Sequence, residues 1–236
     1  MKRATLIISA ATIMLASCSQ DEVTHAGKAT MILDLTYENM PQITVTRAVS
    51  PGLSIQILTP DGTVYQEYAA GAVPDKVTLE GGVTYTVKAF TPNQDTWQTA
   101  NDGRGEACYY GETTVTAIED EVVYCRCSVP MTNYAVTFSL PDHFDEMFSA
   151  YVFTVHANGR DAVLRRSDAR AYFSVDTEGF TYRLQATNTD GAEFSSPTGT
   201  CTDVQNGRMY RVNYSYDFGR PSSSASIDIS DETGDF

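Results

Sequence analysis

Five cysteines and three histidines are the side chains in this sequence best suited to metal, redox or nucleophilic chemistry. Cys125 and Cys127 stand two apart in VVYCRCSVP. Zinc knuckles use a C-x₂₋₄-C spacing, so a C-x-C pair on one strand does not predict a metal site. Residues i and i+2 of a strand share a face, with Cβ atoms too far apart for the roughly 3.8 Å a disulfide wants. A bond to a neighbouring strand stays open. Folding 108–116 onto 121–129 as a hairpin sets Cys108 diagonal to Cys127, which makes Cys108 and Cys127 a candidate disulfide and Cys125 a small core residue. Cys201 has no evident partner. His25, His143 and His156 are scattered, with no His-Cys, His-Asp-Ser or His-x-x-x-His spacing, so neither a zinc site nor a nucleophilic triad assembles. No carboxylate pair is placed as glycoside hydrolysis requires. No catalytic residue, metal ligand or cofactor is expected, and the chain does not read as an enzyme.

Binding is a separate matter. PNQDTWQTANDGRGEA, residues 92 to 107, is long and polar and carries the single tryptophan, Trp97. Exposed, Trp97 would stack on a sugar ring while Asp95, Gln98, Asn101 and Asp102 took its hydroxyls. The alternative is that Trp97 folds back to cap a sheet edge. Asp95, Asp102 and Glu106 lack the Gly-centred spacing of a calcium loop.

The amino terminus sets the compartment. Lys2 and Arg3 precede an apolar run from Leu6 to Ala16, too short to span a bilayer and the right length for a secretory signal. Leu15-Ala16-Ser17-Cys18 looks like a bacterial lipobox, which implies cleavage before Cys18 and its acylation, palmitate included. Two or three acyl chains anchor stably at about 0.8 kcal/mol per buried CH₂. The following Ser19-Gln20-Asp21-Glu22 resembles the acidic tag of surface-exposed lipoproteins of the Bacteroides group and points to an outward-facing position on the outer membrane. Residues 1–17 are then signal and 18–27 tether. Without Lys2 and Arg3 the chain holds 14 basic and 30 acidic residues, a balance of −16. That argues against nucleic acid and anionic lipid headgroups as partners, which need a cationic face.

The elements that must position these residues are strands. Apolar residues alternate with period two through Met31-Leu33-Leu35, Leu53-Ile55-Ile57, Tyr85-Val87-Ala89, Tyr134-Val136-Phe138 and Tyr210-Val212-Tyr214. Turn signals separate them: PDG at 60–62, EGG at 80–82, IED at 118–120, ANG at 157–159 and DTEG at 176–179. Laying 53–91 on 150–188, an offset of 97, matches Asp61-Gly62 with Asn158-Gly159 and Gly82-Val83-Thr84-Tyr85 with Gly179-Phe180-Thr181-Tyr182. The pattern predicts an all-β chain of two tandem antiparallel β-sandwiches, 28–132 and 133–230, with a flexible tail at 231–236.

These segments together resemble the fimbrillin-like and related uncharacterised lipoproteins of Bacteroides and its relatives. The resemblance rests on the lipobox, on TMILDLTYEN closed by Thr46-Arg47-Ala48-Val49, on LSIQILTPDGTVYQEY, on EGGVTYTVKA and on YYGETTVTAIEDEVVYCRCSVPMTNYAVTF. It implies sandwiches of transthyretin-like or Ig-like topology and a lipid-anchored surface protein with a structural or adhesive role, a fimbrial or fimbrial-accessory component. It also implies cleavage after Arg47, loss of the first strand, and partnership with other fimbrial subunits by strand addition. A strand at 225–229 is the candidate donor, and a plain linker at TRAV is the other reading of Arg47. A glycan-binding lipoprotein of a polysaccharide-uptake system, using the Trp97 loop, is the alternative function.

Overall fold

The structure is a computed structural model that describes residues 27–38, 52–217 and 222–231. Cys18, the signal, the tether up to residue 26, Arg47 and the end of the tail lie outside the described residues.

Seven strands build the first half: β1 (Lys28–Glu38), β2 (Ser54–Leu58), β3 (Val64–Tyr68), β4 (Val77–Glu80), β5 (Thr84–Phe90), β6 (Tyr110–Thr116) and β7 (Val122–Pro130). They form two sheets, ordered β4-β1-β7 and β3-β2-β5-β6. Nine strands build the second half: β8 (Tyr134–Ser139), β9 (Phe148–Ala157), β10 (Arg160–Leu164), β11 (Ala171–Phe173), β12 (Phe180–Asn188), β13 (Glu193–Ser195), β14 (Gly199–Cys201), β15 (Arg208–Asp217) and β16 (Ser222–Asp231). Their sheets run β11-β8-β15-β16 and β10-β9-β12-β13, with β14 also on β12. Pairing is antiparallel except for β1 with β7 and β8 with β15. Parallel neighbours need a long crossover between them. Here each crossover builds the other sheet of the same half and also lays one edge strand, β4 or β11, beside the first, so the chain wraps one core before returning.

The two halves share one plan. At the offset of 97, β2, β3 and β5 fall on β9, β10 and β12, and Gly82 and Gly179 both take positive φ, 77° and 70°. The β9–β10 turn is the tightest: Asn158 (φ 51°) and Gly159 (φ 70°) are both left-handed, as a two-residue hairpin whose twist matches its strands demands.

Two hydrophobic cores result. The first gathers Met31, Leu53, Ile55, Ile57, Leu79, Tyr85 and Val87 with Cys125, Cys127 and Val129. The second is aromatic, with Phe138 stacked on Phe153 at 4.6 Å and Tyr134 edge-on to Tyr210 at 5.7 Å. They divide between Met131 and Tyr134.

Cys125 and Cys127 face inward and Tyr124, 66% exposed, faces out, as strand alternation requires. The candidate Cys108–Cys127 disulfide needs correction. Cys108, Cys125, Cys127 and Cys201 are all free thiols. The hairpin that would have aligned the first pair does not form a ladder. β6 hydrogen-bonds to β5 and β7 to β1, in opposite sheets, and only Tyr109 and Met131 bridge. The physical reason is burial. Val115 and Ala117 must enter the core from one side, and Cys125, Cys127 and Val129 from the other, so the turn at 118–120 carries the chain between layers.

Burial lifts the Cys125 thiol from its ordinary 9.0 to about 12 and the Cys108 thiol to about 11. These cysteines are therefore unreactive core groups at neutral pH. The unfolded chain releases their protons above pH 9.0 and the folded chain does not. Stability is therefore fully present below that pH and falls from 9 up to about 12 for Cys125 and about 11 for Cys108, by up to about 1.4 kcal/mol per pH unit for each thiol. Urea midpoints should drop between about pH 8 and about pH 10.5, and Cys125→Ala should flatten the drop. An identical drop in the variant would remove Cys125 from the account.

Candidate functional site

The loop from Thr91 to Tyr109 joins β5 to β6, and its own polar groups shape it. Asn93 Nδ2 donates to Glu106 Oε2 (2.7 Å), and the Asn93 carbonyl accepts from the Trp97 (2.9 Å) and Thr96 (3.0 Å) amides. Asn101 Nδ2 donates to the Gly105 carbonyl (3.1 Å) and to Glu106 Oε1 (3.3 Å). A short 3₁₀ turn over Trp97–Thr99 leads into Ala100–Gly103, where Asn101 (φ 52°) and Asp102 (φ 58°) are left-handed. Asn and Asp tolerate that region better than other non-glycine residues.

The tip of the loop docks on the second half of the molecule. Trp97 is 7% exposed. The Arg160 guanidinium lies 5.8 Å from the centre of its ring and 4.3 Å from that of Phe173. Arg160 donates to the carbonyls of Gly103 and Tyr172, and the Tyr172 amide donates to the Arg104 carbonyl (2.7 Å). Beside this, buried Asn133 ties the loop's end to the start of β8. Its Oδ1 accepts from the Cys108 amide (3.1 Å) and its Nδ2 donates to the Glu106 carbonyl (2.8 Å). Desolvation pulls the Arg160 pKa down, and nearby Tyr134 opposes the shift; an arginine remains charged there.

The sequence-predicted binding residues therefore separate. Asp95, Gln98, Asn101 and Asp102 are exposed, while Trp97 is turned inward under Arg160. The stacking role expected of Trp97 is corrected, because a buried indole presents no face to a sugar. What the sequence reading missed is Arg160. It stands in NGRDAV after a hairpin turn, 63 positions from Trp97, and no local pattern joins the two. Among the described residues no group of three or more His, Cys, Asp or Glu side chains could hold a metal.

Two β-sandwich cores with a buried polar joint between them define an all-β protein of two tandem sandwiches. Residues 26–234 match the family described as a domain of unknown function, DUF4493, and the chain belongs to that family. Among solved structures, it is similar to a candidate cell adhesion protein from Bacteroides uniformis at 11% identity, covering 88% of this chain and 98% of that one with a TM-score of 0.51. It is also similar to a candidate cell adhesion protein from Bacteroides eggerthii (8% identity, 88% and 96% covered, TM-score 0.49). A fimbrial assembly protein from Parabacteroides distasonis is a third (9% identity, 86% and 98% covered, TM-score 0.48). At such identities the likeness is one of fold. No match is found among curated proteins.

Proposed function

We propose that the chain is a lipid-anchored structural or adhesive protein of the cell surface, a fimbrial or fimbrial-accessory component, held in the outer membrane by acylated Cys18. The observation that carries this reading is the place of β1. It is the middle strand of its sheet, antiparallel to β4 and parallel to β7 over nine residue pairs from Thr30–Val122 to Glu38–Pro130. Ala29 and Met31 are buried in the first core. Main-chain ladders hold it on both sides, and the segment carrying Arg47 follows before β2 begins at Ser54. Cleavage after Arg47 would free the whole strand and leave a slot lined by unpaired main-chain groups, which a strand of the same alternation from another subunit fills.

A donor of that description exists in the chain. β16 is the end strand of its sheet, and Ile227 and Ile229 alternate with Asp228 and serines along it. Ile229 is 57% exposed. The likeness of fold to a candidate cell adhesion protein fits an adhesive role.

Protein released from the cell surface should include a form beginning at Ala48, and Arg47→Ala should abolish that form together with any ladder of multimers. Recovery of chains beginning at acylated Cys18 alone would count against strand exchange. Anchoring is read separately: Cys18→Ala should lose radiolabelled palmitate and leave the membrane fraction.

A further inference from the structure

We propose that the 92–107 loop is a latch that locks the two sandwiches into one rigid body, with Arg160 as its key. The loop's internal hydrogen bonds shape its base, and its backbone beyond Ala100 is turned to face the second sandwich. Asn101, Asp102, Gly103 and Gly105 all take positive φ, 52°, 58°, 79° and 80°. This run of left-handed backbone turns the carbonyls of Gly103 and Arg104 toward the second sandwich. There Arg160 and the Tyr172 amide receive them. One guanidinium thus satisfies a carbonyl of each sandwich, Gly103 in the first and Tyr172 in the second. Its planar fork can grip two acceptors at fixed angles where an ammonium could not. Its faces meanwhile lie against Trp97 from the first sandwich and Phe173 from the second, so the same side chain is also the packing contact.

Gly105 shows how close the fit is. A Cβ there would lie 3.0 Å from the Tyr172 carbonyl oxygen, 3.3 Å from an Arg160 nitrogen and 3.3 Å from the Trp97 ring. Gly103 has the same backbone angle, yet a Cβ there would meet nothing within 4 Å. Space beside Gly105 has been taken from both sides, by Tyr172 and Arg160 of the other domain and by the loop's own Trp97.

The latch belongs to this joint alone. At the offset of 97, Arg160 corresponds to Thr63 and Phe173 to Lys76, neither of which could serve as key or as aromatic seat. The second sandwich's counterpart of the loop, NTDGAEFSSPTGTC at 188–201, has no tryptophan. The duplicated halves therefore diverged where one grips the other. The grip also omits β1, since the loop hangs from β5 and β6 and its partners lie beyond residue 131. Domain orientation is set without that strand.

Trp97 is the single tryptophan, so its fluorescence reports the latch in the intact chain. Arg160→Ala should shift its emission to the red and raise acrylamide quenching several-fold. Amide hydrogen exchange across 92–107 should accelerate several-fold while β5 and β12 keep their protection, and small-angle scattering should show a broader spread of particle dimensions. Gly105→Ala should do the same from the loop side, and Gly103→Ala should do much less. If β5 and β12 lose protection in Arg160→Ala, Arg160→Lys is the variant read instead, with one carbonyl released and a smaller change of the same sign. A folded Arg160 variant with Trp97 still shielded and 92–107 still protected would overturn the proposal, as the loop would then be self-supporting.

Discussion

Gly179→Ala is expected to destabilise the protein by about 2–5 kcal/mol, at least twice the cost of Gly82→Ala, although the two glycines are counterparts in the duplicated halves. Both have positive φ, 70° and 77°. A side chain in that region costs roughly 1–2 kcal/mol whatever surrounds it, and Gly82→Ala should cost no more, because a Cβ there meets nothing within 4 Å. At Gly179 a second cost is added. A Cβ would fall onto the Cys201 carbonyl oxygen, with the Thr202 Cα at 2.8 Å. These are backbone atoms of β14 and the residue after it, and β14 is paired to β12 through Phe180–Cys201. They cannot swing aside as a side-chain tip would, so relief requires β14 to leave β12. Forced overpacking of that kind costs roughly a further 1–3 kcal/mol. Guanidinium unfolding of the two variants against wild type measures the difference. Equal losses would mean that β14 yields freely and that the edge of this sheet is softer than its ladder implies.

That contrast bears on how much a one-dimensional pattern can hold. Strand positions, inward faces and turns were readable because each depends on neighbours along the chain. Ile55 and Ile57 alternate with Gln56, and Asn158-Gly159 can hardly be anything other than a tight turn. The duplication was readable for the same reason, since both halves carry the same turns at the same spacing. Sheet membership was not. β6 and β7 look like an ordinary hairpin in sequence, and only the demand that both apolar faces enter one core sends them to opposite layers. The joint was the least readable part. A polar loop with a tryptophan is equally good at meeting solvent, ligand or another domain, and the deciding group, Arg160, lies far along the chain in a stretch without distinguishing pattern. Asn133 falls at the 132/133 boundary between the two sandwiches, and its side chain ties the first sandwich's loop to the start of the second.

Asn133→Asp is accordingly the second change expected to act strongly, with a loss of about 3–5 kcal/mol at neutral pH; Asn133→Ala should lose roughly 2–6, and the two are told apart by their pH dependence. Asn133 is 1% exposed. Its amide reads two main-chain groups of opposite polarity, accepting from the Cys108 amide and donating to the Glu106 carbonyl. Its own carbonyl accepts from the Gly207 amide at 2.9 Å. Alanine leaves one buried donor and one buried acceptor without partners, at roughly 1–3 kcal/mol each. Aspartate keeps the acceptor and replaces the donor with a second oxygen facing the Glu106 carbonyl, which adds repulsion to the desolvation of a buried charge. Protonation restores a donor. The folded-state pKa of the introduced carboxyl would therefore rise above its unfolded value of about 3.9. A raised pKa gives stability that is present at low pH and is lost as pH rises, so the defect should shrink toward about pH 4 for Asn133→Asp and stay constant for Asn133→Ala. Denaturant midpoints at both pH values measure this. A uniform loss in the aspartate variant would mean that water reaches the carboxylate, and that the seam between the domains opens at this residue even while the Arg160 grip holds.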